Sequence, residues 1–352
     1  MINDRIQRQE AGDNSTNYQA EKITVVQGIS YRDARDIALD VYQKNFIKLS
    51  EHAAQVALGR AEEFIDDFLR KIQSKNPVLL EQMSQPSIQN SLYCAQKQYA
   101  VTGDKELKSL LLDLVVQRCE QEERSIHQIV LDEAIELAPK LTVEQMDALT
   151  VNFIISNAMN HNIKSVSSLL FHIDNEIIPF LTALGENTSC YEHLTYLGAA
   201  TIEYTGSLPN MYEEYAKNYK AIFSKGNEFG DFETILVEDE KVKQLIMPCL
   251  QYSNLYQVAV LNDNKLDESC ARLGISDEVK GKLLALINKS AMTIPEVKSW
   301  LLEQRPALKK LFDVWEKTRL HQMFLTTVGI ALAQANFQRR TGIELALNSW
   351  VK

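Results

Sequence analysis

Along most of the chain, apolar residues recur at alternating spacings of three and four, the pattern of helices that bury one face. The longest such stretch opens at Ser30, which with Asp33 three residues on forms a variant of the capping box. No proline follows until Pro77. That predicts one very long N-terminal helix of about 45 residues, roughly 67 Å at 1.5 Å per residue. Tyr42, Phe46, Leu49, Ala53 and Val56 make its first stripe, and Ala57, Ala61, Phe64, Phe68 and Ile72 continue it after a shift of register. A helix of that length needs a bundle or a second chain to brace it.

Further on the pattern breaks into helices of ordinary length. Those predicted are 87–101, 105–122 capped by Asp104, 126–138 opened by Ser125, and 143–160 with Thr142 and Gln145 as a capping box. Then come 165–184 with Pro179 as a kink, 191–204, and the tyrosine-rich 209–223 with Tyr212, Tyr215 and Tyr219. After the glycine loop Gly226–Gly230, Asp231 to Val237 and Asn254 to Leu261 read as a possible pair of strands, with helix open for both. Helices follow at 277–289 (Ser276 cap), at 294–304 (Thr293 cap) and from Pro306 to about Arg339, and the chain ends in a short helix or extended tail.

Ahead of the long helix, 12–28 carries turn residues and then Tyr18, Ile23 and Val25 in a short β-like run. An isolated strand is unstable in water, so pairing with the same strand of another protomer would complete it. The expected division is a leader and β oligomerisation segment at 1–28, the long helix and a bundle at 29–225, and a C-terminal helical region at 226–352. The fold class is mainly α, a multi-helix bundle whose long helix follows a short β segment. Tyr18, Ile23, Val25, Tyr42, Phe46 and Leu49 are the candidate oligomer interface.

Charge narrows the partners. Lys and Arg total 37 against 47 Asp and Glu, a net charge of −10, which disfavours nucleic acid and anionic membranes. The five cysteines are odd in number and set in apolar patterns, as expected of buried thiols in a reducing, cytoplasmic setting. The apolar run Met323 to Ala333 is about half of the roughly 20 residues a membrane span needs, so no span is expected.

The common catalytic motifs, phosphate-cradling glycine loop, nucleophile elbow, HExxH and CxxC, do not occur. His172 and Glu176 stand one turn apart, a spacing that suits two metal ligands on a helix face, but a satisfied helical histidine is the commoner outcome. The tyrosine stripe could line a groove, although packing is the commoner role. Asp231, Asp239 and Lys241 frame a metal-dependent nuclease: a carboxylate ahead of an apolar strand, and Asp-x-Lys at its end. No cofactor and no metal are expected otherwise.

The segments GDNSTNYQAEKITVVQGISYRDARDIALDVYQKNF and RPALKKLFDVWEKTRLHQMFLTTVGIALAQANFQRRTGIELALNSWV resemble a family of uncharacterised bacterial proteins of similar length. The N-terminal module is similar to leaders on bacterial anti-phage proteins. The resemblance implies a bacterial cytosolic protein with a defence role, and no catalytic residues. The expected function is a non-enzymatic oligomeric scaffold or sensor working through protein contacts. A nuclease is the first alternative, and a membrane-perturbing effector using Met323 to Ala333 the second.

Overall fold

Ser30 caps helix α1 (Tyr31–Asn45): its hydroxyl accepts from the Asp33 N–H, and the Asp33 carboxylate closes the box. The chain then turns. Phe46 is extended, at φ −72° and ψ 148°, and Ser50, also extended, precedes α2 (Glu51–Lys75). The computed structural model describes residues 29–46, 49–121 and 124–351, and within these the single very long N-terminal helix is replaced by a helical hairpin.

Burial explains the break. Arg35 pairs with Asp66 at 2.8 Å, and the Tyr42 hydroxyl reaches the Ala57 carbonyl at 3.4 Å, so the two helices run antiparallel. Folding back buries Ala34, Ala38 and Tyr42, which a straight helix would leave in water. Burying a large apolar side chain stabilises by about 1.5–3 kcal/mol. Leu49 and Val56, on the buried face of the expected helix, are instead exposed. The register shift in the sequence, between Val56 and Ala57, falls inside α2 and does not mark the break.

The remaining helices are α3 (Pro86–Thr102), α4 (Lys105–Cys119), α5 (Ile126–Leu137), α6 (Val143–Ser156), α7 (Val166–His172), α8 (Thr188–Tyr196), α9 (Met211–Asn218), α10 (Gly230–Glu238), α11 (Asp263–Leu273), α12 (Asp277–Ser290), α13 (Ile294–Gln304), α14 (Leu308–Lys317) and α15 (Thr327–Thr341). Strand β1 (Ala200–Ile202) pairs antiparallel with β4 (Met323–Leu325), and β2 (Ile246–Pro248) with β3 (Tyr256–Val258). Asp104, Ser125, Thr142, Ser276 and Thr293 cap their helices as the sequence suggests.

Two segments differ from expectation. Residues 231–237 form helix α10, not a strand: Phe232 and Ile235, three apart, are buried, whereas Val237 is 88% exposed. Asp231 and Glu233 lie in its first turn, where the helix dipole favours negative charge. The pattern from Pro306 to Arg339 is not continuous either. Thr318 is extended and bonds the Leu320 N–H, β4 pairs with β1, and Thr326 restarts the chain as the cap of α15.

Helix α15 is the centre of the main core. It lies along α6 and also packs on α4 and α5, and every residue from Val328 to Phe337 is buried. The apolar run thus serves an internal helix, and among the described residues no helix is long and apolar enough to cross a membrane. A smaller core gathers Phe232, Val258, Leu266 and Leu283 from α10–α12 and the β2–β3 pair. Residues 226–352 therefore divide between two cores, with α13–α15 belonging to the main one.

One close approach fixes α15. A Cβ at Gly329 would fall 1.9 Å from the Ala199 carbonyl oxygen, while Gly59, exposed on α2, has open space around it. Gly329→Ala is expected to lower unfolding stability by about 2–3 kcal/mol through overpacking against backbone. Gly59→Ala should raise it by about 0.5–1 kcal/mol through helix propensity. Urea denaturation of both variants checks this; an unchanged midpoint for Gly329→Ala would show that the contact is not tight.

Candidate functional site

The site begins with a proline. Helix α7 starts from a Ser165–Ser168 capping box, and the apolar spacing carries it towards residue 184. Pro179 lacks an N–H, and its ring crowds the carbonyl four residues back. The backbone widens ahead of it: Ile173–Ile177 form a π turn in which the Ile178 N–H bonds the Ile173 carbonyl, and Ile178–Phe180 close as a 3₁₀ turn. Such π turns are rare and are often found at functional sites.

This turn sets His172 beside Glu176, with Nδ1 2.7 Å from Oε2, and both residues are buried. The other ring nitrogen, Nε2, meets the Tyr215 hydroxyl at 2.6 Å. The side-chain amide of Asn160, in the loop after α6, donates to both Glu176 oxygens at 3.3 Å. Tyr219 ties that loop to α9, its hydroxyl donating to the Asn160 carbonyl at 3.1 Å and accepting from the Asn160 N–H at 3.2 Å. Burial raises the Tyr215 phenol well above its ordinary range and pushes Tyr219 up to about 12, so both keep their protons.

Donor accounting assigns the protons. Among the described residues the Tyr215 O–H has one acceptor in reach, His172 Nε2. If Nε2 carried a proton, that O–H would be left buried without a partner, at about 1–3 kcal/mol. The hydroxyl therefore donates to Nε2, the ring proton sits on Nδ1, and Nδ1 donates to Glu176 Oε2.

Two arginines brace the turn. Arg305 forks onto Asp174 on its outer side, and Arg340 donates to the Pro179 carbonyl while pairing with buried Asp147 of α6 at 2.7 Å. The Arg340 guanidinium also lies 4.7 Å from the centre of the Phe180 ring. Burial pushes the Asp147 carboxyl up even with Arg340 beside it.

His172 and Glu176 line a half-open, mostly apolar cleft of about 540 Å³, whose walls include Phe153, Ala158, Phe171, Phe337 and Leu345. That volume is in the usual range of small-molecule sites. A second cleft of about 550 Å³, near α4, α5 and the C-terminal segment, is lined by Gln117, Gln121, Gln334 and Gln338. There Gln117 bonds Gln334, Gln334 bonds Gln338, and Lys75 is paired with Glu120 at 2.7 Å, while among the described residues the buried His127 Nε2 has no hydrogen-bond partner.

The nuclease residues are not gathered. Asp231 binds Lys289 at 2.9 Å in the first turn of α10, and Asp239 follows the last turn, about 12 Å further along at 1.5 Å per residue. The Asp239 carboxylate accepts from the Lys241 N–H, and the Lys241 ammonium donates to the Gly274 carbonyl at 3.1 Å. Of the expected oligomer interface, Tyr18, Ile23 and Val25 lie outside the described residues. Tyr42 is buried in the α1–α2 hairpin with its ring stacked on Phe46 at 4.5 Å, and Leu49 is exposed. Burial pushes the Cys119 and Cys190 thiols up to about 12, far from a reactive thiolate.

Sequence spacing singled out His172, Glu176 and the tyrosine stripe but did not join them, and it missed Asn160. The available signal was Pro179, three residues past Glu176 in a helical pattern. A model of an uncharacterised protein family matches residues 28–351. No curated protein and no solved structure matches the chain.

Removing single hydroxyls checks the network. Tyr215→Phe and Tyr219→Phe are each expected to lower stability by about 1–2 kcal/mol, because each strands a buried partner. Tyr212→Phe, whose hydroxyl bonds half-exposed Glu316, should cost about 0.5 kcal/mol or less. Equal losses for all three in urea denaturation would contradict the network.

Proposed function

The chain belongs to this uncharacterised family, and from that premise we propose that it is a non-enzymatic sensor: it binds a small ligand in the 540 Å³ cleft and relays that state through protein contacts. The observation that carries the reading is a hydrogen-bonded His172–Glu176 cluster at the wall of an otherwise apolar cleft, held by a clamped π turn. Such preorganisation lowers the ordering cost of binding.

The same geometry removes His172 and the two tyrosines as free acid–base groups in the cleft. A general base needs a lone pair facing substrate. His172 instead bonds Tyr215 through Nε2 and Glu176 through Nδ1. Both tyrosine hydroxyls are likewise engaged, and the pushed-up thiols are poor nucleophiles. Self-association through Tyr18, Ile23 and Val25 belongs to the same proposal, as the means of holding two sensor bodies together.

One titration series tests both parts. Nile red, a neutral apolar fluorophore, should bind the full chain at one saturable site, and Ala158→Phe, which fills the cleft, should weaken it at least tenfold with the helical circular dichroism unchanged. Sedimentation of the same samples should give an oligomer for the full chain and a monomer for a chain starting at Tyr31. Binding indifferent to Ala158→Phe would remove the cleft reading, and equal monomeric masses would remove self-association.

A further inference from the structure

We infer that the cleft accepts a small organic amine, with its ammonium against Glu176 and its apolar body along Phe153, Phe171, Phe337 and Leu345. The inference rests on the ligand-binding reading above and adds the charge and shape of the ligand.

The first step is the charge balance. With the Tyr215 proton directed to Nε2 and the ring proton on Nδ1, His172 is neutral, so Glu176 as a carboxylate is met only by dipoles. No Lys or Arg is among the described residues that line the cleft, and its other ionisable group, His161, is exposed. The nearby arginines are already committed, Arg305 to Asp174 and Arg340 to Asp147. A carboxylate 7% exposed and without a cation is costly to keep, so a cationic guest is favoured over a neutral or anionic one.

The second step is local geometry. Oε2 is taken by the short bond to His172 at 2.7 Å, whereas Oε1 accepts only the Asn160 amide at a long 3.3 Å. Oε1 thus keeps a lone pair for an ammonium N–H. A charge-assisted bond of this kind is roughly twice as strong as a neutral one. The rest of the lining offers aromatic and aliphatic surface, which suits a chain or ring behind the head group. The Pro179 turn and its two arginine clamps fix where Glu176 sits, so the site has no ordering step left to make.

Isothermal titration calorimetry of the full chain with octylamine, octanol and octanoate distinguishes the possibilities, since the three share a tail and differ in head-group charge. Octylamine is expected to bind about tenfold more tightly than octanol, and octanoate more weakly than either. Glu176→Gln should bring octylamine down to the affinity of octanol. Octanol or octanoate matching octylamine on the native chain overturns the amine assignment, with no variant needed, and so does heat from none of the three. Loss of saturable Nile red binding is a separate result that removes the cleft reading itself.

Discussion

A buried phenol must give its proton to some acceptor, and for Tyr215 the one in reach among the described residues is His172 Nε2. The direction of every other bond in the cluster follows. The imidazole becomes a relay that accepts on one side and donates on the other, and Glu176 receives the donated bond on Oε2. The charge that Glu176 carries as a carboxylate then faces an apolar cleft whose described lining holds no Lys or Arg. In most interiors such a charge would be paired or neutralised.

The wider fold holds this arrangement still. The π turn is the least regular stretch of α7 and its continuation, and it is gripped at Asp174 by Arg305 and at the Pro179 carbonyl by Arg340. Arg340 belongs to α15, the helix around which the main core is packed, and its other bond goes to Asp147 on α6. The position of Glu176 is therefore referred to the most buried helix of the protein. Gly329, at the start of that helix, lets its backbone meet the Ala199 carbonyl and sets its depth.

Local features were legible in the sequence, and nonlocal ones were not. Capping residues such as Thr142 and Thr293 act within three residues, so their spacing suffices to place helix starts. The break at Phe46 depends on what α1 gains by meeting α2 and α3, which no local spacing records. The interruption at Met323–Leu325 depends on Ala200–Ile202, more than a hundred residues away in the chain. The run 231–237 is short enough to suit either period, and Asp231 and Glu233 stand in the first turn of the helix it forms. At the site, the spacing of His172 and Glu176 was visible, but Asn160 lies in a loop and Tyr215 on another helix. Only the fold shows that the four belong together.

The central claim is the direction of the hydrogen bonds at His172. Nitrogen NMR of histidine-labelled full-length protein reads it directly, with Tyr215→Phe as the assignment control. The expected signal for His172 is a neutral ring with its proton on Nδ1 and an acceptor shift at Nε2, the latter moving when Tyr215 loses its hydroxyl. A ring protonated at both nitrogens, or at Nε2 alone, would contradict the neutral, relaying His172 on which the account rests.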